Sequence, residues 1–262
     1  MWSDWGRGAV FQPYGADADG PWLGWQVNRG ELDGGLLCQT VQAGVKVLQP
    51  VRATAALVEQ RRVVGVQTPN GALTARWTVD AAGGRHFLAR QLRLPIRRMS
   101  PRLVAWYGYV RGCCPTRDTA PLVTAASDGW VWTARVAVER YAWVRLSWRP
   151  GRQPPPPDEF DGLVPEGSIH GVDVTWRVVE PAAGPGFFLC GDAGAILDPS
   201  AAHGVIRGLI SGMMAGHLIS HSYGNELSAA KAYDDWLTDR FDADSTALRE
   251  LYRVHPTPPS WT

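Results

Sequence analysis

Residues 187–212 read FFLCGDAGAILDPSAAHGVIRGLISG, and this stretch restricts the fold more tightly than any other. Phe187 to Cys190 is short and wholly apolar, as a buried parallel strand is. Gly191 turns the chain without a Cβ. Asp192 then stands at the carboxyl end of that strand, where open α/β sheets bind ligands. A carboxylate there can accept hydrogen bonds from ligand hydroxyls. Asp198-Pro199 precedes a helix that starts near His203, and Pro199 removes a backbone donor. The next amides, at His203, Gly204 and Val205, point out of the helix start, which favours negative charge. Inside the helix Gly204, Gly208, Gly212 and Gly216 recur every four residues and make one face nearly flat. A glycine inside a helix costs about 1 kcal/mol against Ala. Four of them predict a close backbone approach, by a ligand or by a neighbouring element.

The remaining chain sets the frame around that stretch. Its 262 residues suffice for one large domain or two small ones. Lys plus Arg is 26 against 25 for Asp plus Glu, with no long charge block. That excludes a nucleic-acid stripe and a polybasic membrane patch. Thirteen Trp are an excess that suits a core, an interface or an aromatic pocket. Cys38, Cys113, Cys114 and Cys190 fit no CxxC pair and no zinc spacing, so they read as buried free thiols in a reducing compartment. Met1 to Gly8 has no apolar signal region. The longest apolar helical run, Val205 to Ile219, is interrupted by Arg207 and His217 and is too short and polar to span a membrane. The expectation is a cytoplasmic protein.

Residues 1–22, rich in Gly, Asp, Pro and Trp, read as loop. The pattern predicts a helix over 31–43 closed by Gly44, then a short strand over 45–48. Strands follow at 53–60, 63–68 and 73–79, the last two joined by an Asn70-Gly71 turn. From about Arg102 the chain becomes rich in Trp, Tyr and Val, with strands over 104–111, 129–138, 141–148 and 172–179, as an antiparallel sheet requires. An amphipathic helix covers 226–253, with Tyr233, Trp236, Leu237, Phe241, Leu248, Leu251 and Tyr252 facing the body.

GDAGAILDP followed by SAAHGVIRGLISG resembles the second flavin-binding motif of FAD-dependent monooxygenases of the aromatic-hydroxylase and halogenase type. The resemblance implies that Gly191 and Asp192 meet the ribityl and pyrophosphate part of FAD. It implies that the segment Asp198, Pro199, His203, Gly204 and Val205 reaches the isoalloxazine, with helix-start amides at its pyrimidine side. His203 can equally be a capping or packing residue. Three further segments resemble the family in order. GWQVNRGELDGGLL (24–37) would bring Arg29 near the FAD phosphates, unless Arg29 is simply a solvated helix-start residue. VDAAGGRHFLAR (79–90) resembles the turn near the adenosine. DGWVWTARV (128–136) resembles the Trp-x-Trp strand of flavin halogenases, although Thr133-Ala134-Arg135 stands where halogenases continue with Ile-Pro. Trp130, Trp132 and Arg177 are the candidate substrate residues; a Trp pair on one strand face can also be core, and Arg177 can pair with carboxylates.

Within that superfamily the chain is similar to flavoprotein maturases of quinone-cofactor amine and amino-acid oxidases. The similarity rests on Trp5-Gly6, VDVTWR (172–177), DPSAAHG (198–204), SGMMAGHLI (211–219) and the spaced Tyr233, Trp236 and Tyr252. It implies a monooxygenase using FAD with NAD(P)H as reductant, which hydroxylates a Trp side chain in a client polypeptide. The alternatives are a small-molecule flavin halogenase or reductase, and a client-binding remnant without cofactor.

The expected fold is α/β: an incomplete FAD-binding Rossmann-like domain over 23–98 and 180–225, an α+β antiparallel-sheet substrate domain over 99–179, and a C-terminal helical region over 226–262. The family's first FAD site, G-x-G-x-x-G after an opening strand, is not found; Gly6-Arg7-Gly8 lacks both the strand and the third glycine. The expectation is a gene model or fragment that starts after that first βαβ unit, with an exposed sheet edge in its place. A natural short form that has lost ADP binding is the alternative.

Overall fold

The computed structural model describes residues 2–11, 13, 15–22, 24, 26–149, 151–221 and 225–262. The amino-terminal part forms β1 (Trp2–Asp4), β2 (Val10–Phe11), β3 (Ala16–Asp17), β4 (Gly20–Pro21) and α1 (Arg29–Gln42). Next come β5 (Ala55–Glu59), β6 (Arg62–Thr68), β7 (Gly71–Thr74), β8 (Thr78–Asp80), α2 (Phe87–Gln91) and β9 (Ile96–Arg98). The middle holds β10 (Val104–Arg111), α3 (Pro115–Asp118), β11 (Leu122–Ala126), β12 (Gly129–Ala137), β13 (Arg140–Ser147) and β14 (Val164–Asp173). The last part holds β15 (Arg177–Val179), β16 (Ala183–Gly184), β17 (Phe187–Leu189), β18 (Ala195–Ile196), α4 (Gly204–His221) and α5 (Glu226–Arg253). The chain divides into two compact units: 1–47, 103–173 and 251–262 form the first, and 48–102 with 174–250 the second.

The first unit is a seven-stranded sheet in the order β14-β10-β13-β12-β11-β1-β2. Its long strands are antiparallel neighbours, whereas β1 joins β11 in parallel. Tyr141 and Trp143 of β13 share one face of the sheet, while Trp130 of β12, opposite Leu146, lies on the other; each is 1% exposed, so both faces are covered here. A Cβ on Gly108 of β10 would lie 2.9 Å from the Trp143 ring, so that glycine makes room for the indole. Trp130 donates from Nε1 to the Tyr252 hydroxyl at 2.9 Å, and Trp148 packs edge-on against the same Tyr252 ring at 4.7 Å. Asn28 caps α1 by accepting from the Gly30 amide, but no residue of α1 is buried. Cys38 on that helix is therefore exposed, as is Cys113; only Cys114 and Cys190 are buried thiols.

The second unit has three small sheets, ordered β5-β6-β7, β16-β17-β8 and β18-β15-β9. β17 lies parallel to β8, with Leu189 opposite Asp80. Val63, Leu88, Ala89, Val179, Phe187 and Leu189 form its core. Along α5, Ala229, Tyr233, Leu237, Phe241 and Leu248 are buried at helical spacing, the stripe its sequence predicts. β8 is an edge strand, and its Val79 is 44% exposed. Among the described residues, no helix is long and apolar enough to cross a membrane.

Several expectations change. The 1–22 segment carries short strands as well as loop. Residues 45–48 form no strand; Val45, Val47 and Leu48 are exposed, so their apolar run has no sheet to join. The 73–79 strand splits into β7 and β8, which belong to different sheets. The 172–179 strand divides between β14 in the first unit and β15 in the second.

Candidate functional site

The second unit builds its site from two parallel strand ends. The Cys190 amide donates to the Asp80 carbonyl at 2.8 Å, so the chain turns after β8 and after β17 leave the sheet side by side. Asp80 is consumed locally: one carboxylate oxygen accepts from the Ala82 amide and the other from the Leu88 amide, both at 2.8 Å. It shapes the turn and starts α2. Gly191 has φ +55° and donates its amide to Ser211 Oγ at 2.8 Å. A Cβ there would stand 3.4 Å from the Gly208 Cα, so the turn lies close against α4. Asp192 is exposed on that turn.

Asp198 has a different position from the one the resemblance implies. It is 0% exposed. Its carboxylate accepts from Trp176 Nε1 at 2.7 Å, from the Ser200 amide at 3.0 Å and from Ser200 Oγ at 2.5 Å. It caps the short 3₁₀ turn that Pro199 enters and anchors an indole. Both of its oxygens are thus engaged within the protein.

His203 immediately precedes α4 and is exposed, as are Gly204 and Val205. The first in-helix bond runs from the Arg207 amide to the His203 carbonyl at 2.9 Å. The amides of Gly204, Val205 and Ile206 thus stand ahead of the ladder at an exposed helix start, the positive end of the peptide dipoles. A Cβ added to Gly204, Gly208, Gly212 or Gly216 would meet nothing within 4 Å. Apart from the Gly191 turn beside Gly208, no side chain or backbone of the described residues fills the space that a Cβ at these four glycines would take.

Arg177, expected to orient substrate, is 8% exposed and holds the site together. Its Nε donates to His86 Nε2 at 2.8 Å, and its terminal nitrogens donate to the Thr175 and Gly84 carbonyls at 2.9 and 3.3 Å. His86, 2% exposed with φ +50°, donates from Nδ1 to the Ala193 carbonyl at 2.8 Å. That pattern requires the neutral Nδ1–H tautomer. Burial pulls the His86 pKa down, with the Arg177 charge adding to it and the Ala193 bond opposing. Three sequence motifs, 79–90, 172–177 and 191–194, are thereby tied through one imidazole. Sequence reasoning missed His86; its place after Gly83-Gly84 was the available signal, since a Cβ on Gly84 would lie 2.8 Å from Ile196 Cδ1.

Arg29, Trp130 and Trp132 belong to the first unit. Arg29 forms an exposed ion pair with Asp33 at 3.0 Å. Trp25 of the same segment lies outside the described residues. Trp130 is a core residue whose N–H is already used, so it offers nothing to a substrate. Trp132 is half-buried.

Residues 17–140 match the tryptophan halogenase family. A tryptophan 2-halogenase of Chondromyces crocatus is 25% identical over 239 residues, spanning 79% of this chain and 46% of its own length. The flavin-dependent brominase Bmp2 superposes over 96% of this chain and 69% of its own, with TM-score 0.77 and 20% identity. CmlS, a flavin-dependent halogenase, does so over 92% and 49%, with TM-score 0.76 and 19% identity. The fold is that of the flavin-dependent halogenases. The chain spans about half the length of the curated relative it matches. The relatives named here are halogenases, and the narrower likeness to oxidase maturases has no counterpart among them.

Proposed function

We propose that this chain is part of a flavin-dependent halogenase acting on an electron-rich aromatic ring of the indole class. The observation that carries the reading is the pairing of exposed Asp192 with the exposed start of α4, in a chain similar to a tryptophan 2-halogenase. The residues present fit FAD. Asp192 offers a carboxylate to ribityl hydroxyls, and the Gly204 and Val205 amides offer donors to an electron-rich ring edge. The open glycine face of α4 lets a flat group approach the backbone. Asp198 stays out of this set because its carboxylate serves Trp176 and Ser200.

Bound FAD, reduced by a separate reductase and exposed to O₂, would supply the oxidising power that turns a halide into an electrophile. This chain's residues supply the holding. Asp192 and the α4 start orient the cofactor. The Arg177–His86–Ala193 bridge fixes the turn from which Asp192 projects. Trp132 of the first unit, half-buried, is the aromatic residue proposed for substrate.

A second reading, hydroxylation of a Trp in a client polypeptide, draws on one observation. Ala134 stands where halogenases carry Ile, and it is 0% exposed, so the departure from that motif lies in the core of the sheet. One assay separates the two. The chain is supplied with FAD, a flavin reductase, NADH, halide and either free tryptophan or a Trp-containing peptide, and products are resolved by mass spectrometry. A halogenated product that needs halide supports the first reading. An oxygenated product formed equally without halide replaces it with the second.

A further inference from the structure

Between α4 and α5 the second unit has a half-open cavity of about 220 Å³. Its walls are largely apolar: Ile206 and Ile210 from α4, with Trp236, Leu237 and Phe241 from α5. An apolar cavity of about 150 Å³ accepts benzene, so this one has room for a single ring with a short substituent. Three charged residues share the lining, Arg207, Arg240 and Asp244.

The charges are unevenly matched. Arg240 Nε reaches Asp244 Oδ1 at 3.4 Å. Arg207 Nε is buried without a hydrogen-bond partner, and so is the other oxygen of Asp244. Burial dominates the environment of Arg207, while the charges of Asp244, Asp192 and Asp198 act on it in the opposite sense. A desolvated guanidinium is normally met by a hydrogen-bonded anion. The Nε of Arg207 lacks that contact at a place where a ring-sized apolar space opens beside it.

We infer that this cavity binds a small carboxylate carrying one apolar ring, with Arg207 as its counter-ion and the Trp236 and Phe241 rings as its walls. The site adjoins the flavin reading, because Gly191 and His203 also line it, so occupancy is measured without flavin and does not depend on that reading. A water bridging Arg207 to Asp244 is the competing occupant.

The test is calorimetric titration of the flavin-free chain with benzoate, with its neutral isostere benzamide, and with benzyl alcohol. Benzoate is expected to bind one to one, with benzamide and benzyl alcohol at least about 10-fold weaker. Arg207→Met is expected to weaken benzoate about 10- to 100-fold and to leave benzamide unchanged. Ile210→Trp, which fills the cavity from α4, is expected to abolish binding, and Arg135→Met in the first unit to change nothing. Circular dichroism checks that each variant is folded. Should Arg207→Met fail to fold, Arg207→Lys is used, with a weaker but charge-dependent preference for benzoate over benzamide expected. No benzoate binding up to its solubility overturns the inference. Equal affinity for benzoate and benzamide overturns it too, because Arg207 is then served by water, and so does unchanged benzoate affinity in Arg207→Met.

Discussion

The helices α4 and α5 follow one another in sequence and are built in opposite ways. α5 is charged and alternates, and its apolar side is buried from Ala229 through Leu248. α4 is far more apolar, yet only Ser211 and Ala215 are buried. Its Ile206, Leu209 and Met213 are 52%, 48% and 74% exposed, and its glycine side is open. Apolar content alone therefore does not fix a helix in this unit. α5 is held by fit to a core; α4 is held through Ser211, near its middle, against Gly191 and by the capped turn at Asp198 that precedes it.

The largest effect should separate the helices by stability. Tyr233→Ala removes a fully buried ring whose hydroxyl donates to the Leu189 carbonyl at 2.8 Å. It should cost about 3–5 kcal/mol in denaturant unfolding. Met213→Ala on α4 should stay within about 0.5 kcal/mol. A comparable loss at Met213 would mean that α4 is as deeply packed as α5, and the contrast would fail.

The next effect separates two aspartates six residues apart. Asp198→Ala leaves the Trp176 N–H and the Ser200 amide and hydroxyl without their acceptor, which should cost about 2–4 kcal/mol. Asp192→Ala, at an exposed position, should cost less in unfolding than Asp198→Ala and still weaken FAD binding, read by quenching of flavin fluorescence. If Asp192→Ala leaves FAD affinity intact, the proposed cofactor contact is lost.

A smaller effect belongs to His86. Its folded pKa lies below the ordinary value of 6.5 because burial opposes the charge. The unfolded chain therefore takes up this proton first as pH falls. The stabilisation is complete above about 6.5 and is lost as pH drops from there towards the lowered folded value, with a slope of up to about 1.4 kcal/mol per pH unit. His86→Gln keeps one donor and one acceptor, so the wild-type protein should show this extra slope and the variant should not. Parallel stability curves between pH 5 and 7 would remove His86 from the account.

Much of this was legible in the sequence, and the illegible parts share a cause. The strand at 187–189, the turn and α4 follow from an apolar run, a glycine and a helix-start pattern, all local. The stripe of α5 is local too. β14 escaped because Pro165 and Gly167 break its pattern and it is an edge strand, paired only with β10. The roles of Asp198 and Arg177 were misplaced because a motif shows which residues recur, not which way a carboxylate or guanidinium points. The partners Trp176 and His86 are 22 and 91 residues away, and only packing brings them in.

The smallest effect concerns Arg29, where stability and cofactor binding should part. Arg29 and Asp33 are an i,i+4 pair with side chains 61% and 55% exposed. The cation sits on the amino-terminal side, against the helix dipole, so the pair is the weaker of the two possible orders. Arg29→Ala should therefore shift unfolding by no more than about 0.5 kcal/mol, and by less at high salt because the pair is screened. If Arg29 also meets a cofactor phosphate, the same variant should weaken FAD much more than riboflavin, which carries no phosphate. Equal weakening of both ligands, or of neither, would return Arg29 to the role of a solvated helix-start residue and leave Asp192 and the α4 start as the whole of the proposed flavin contact.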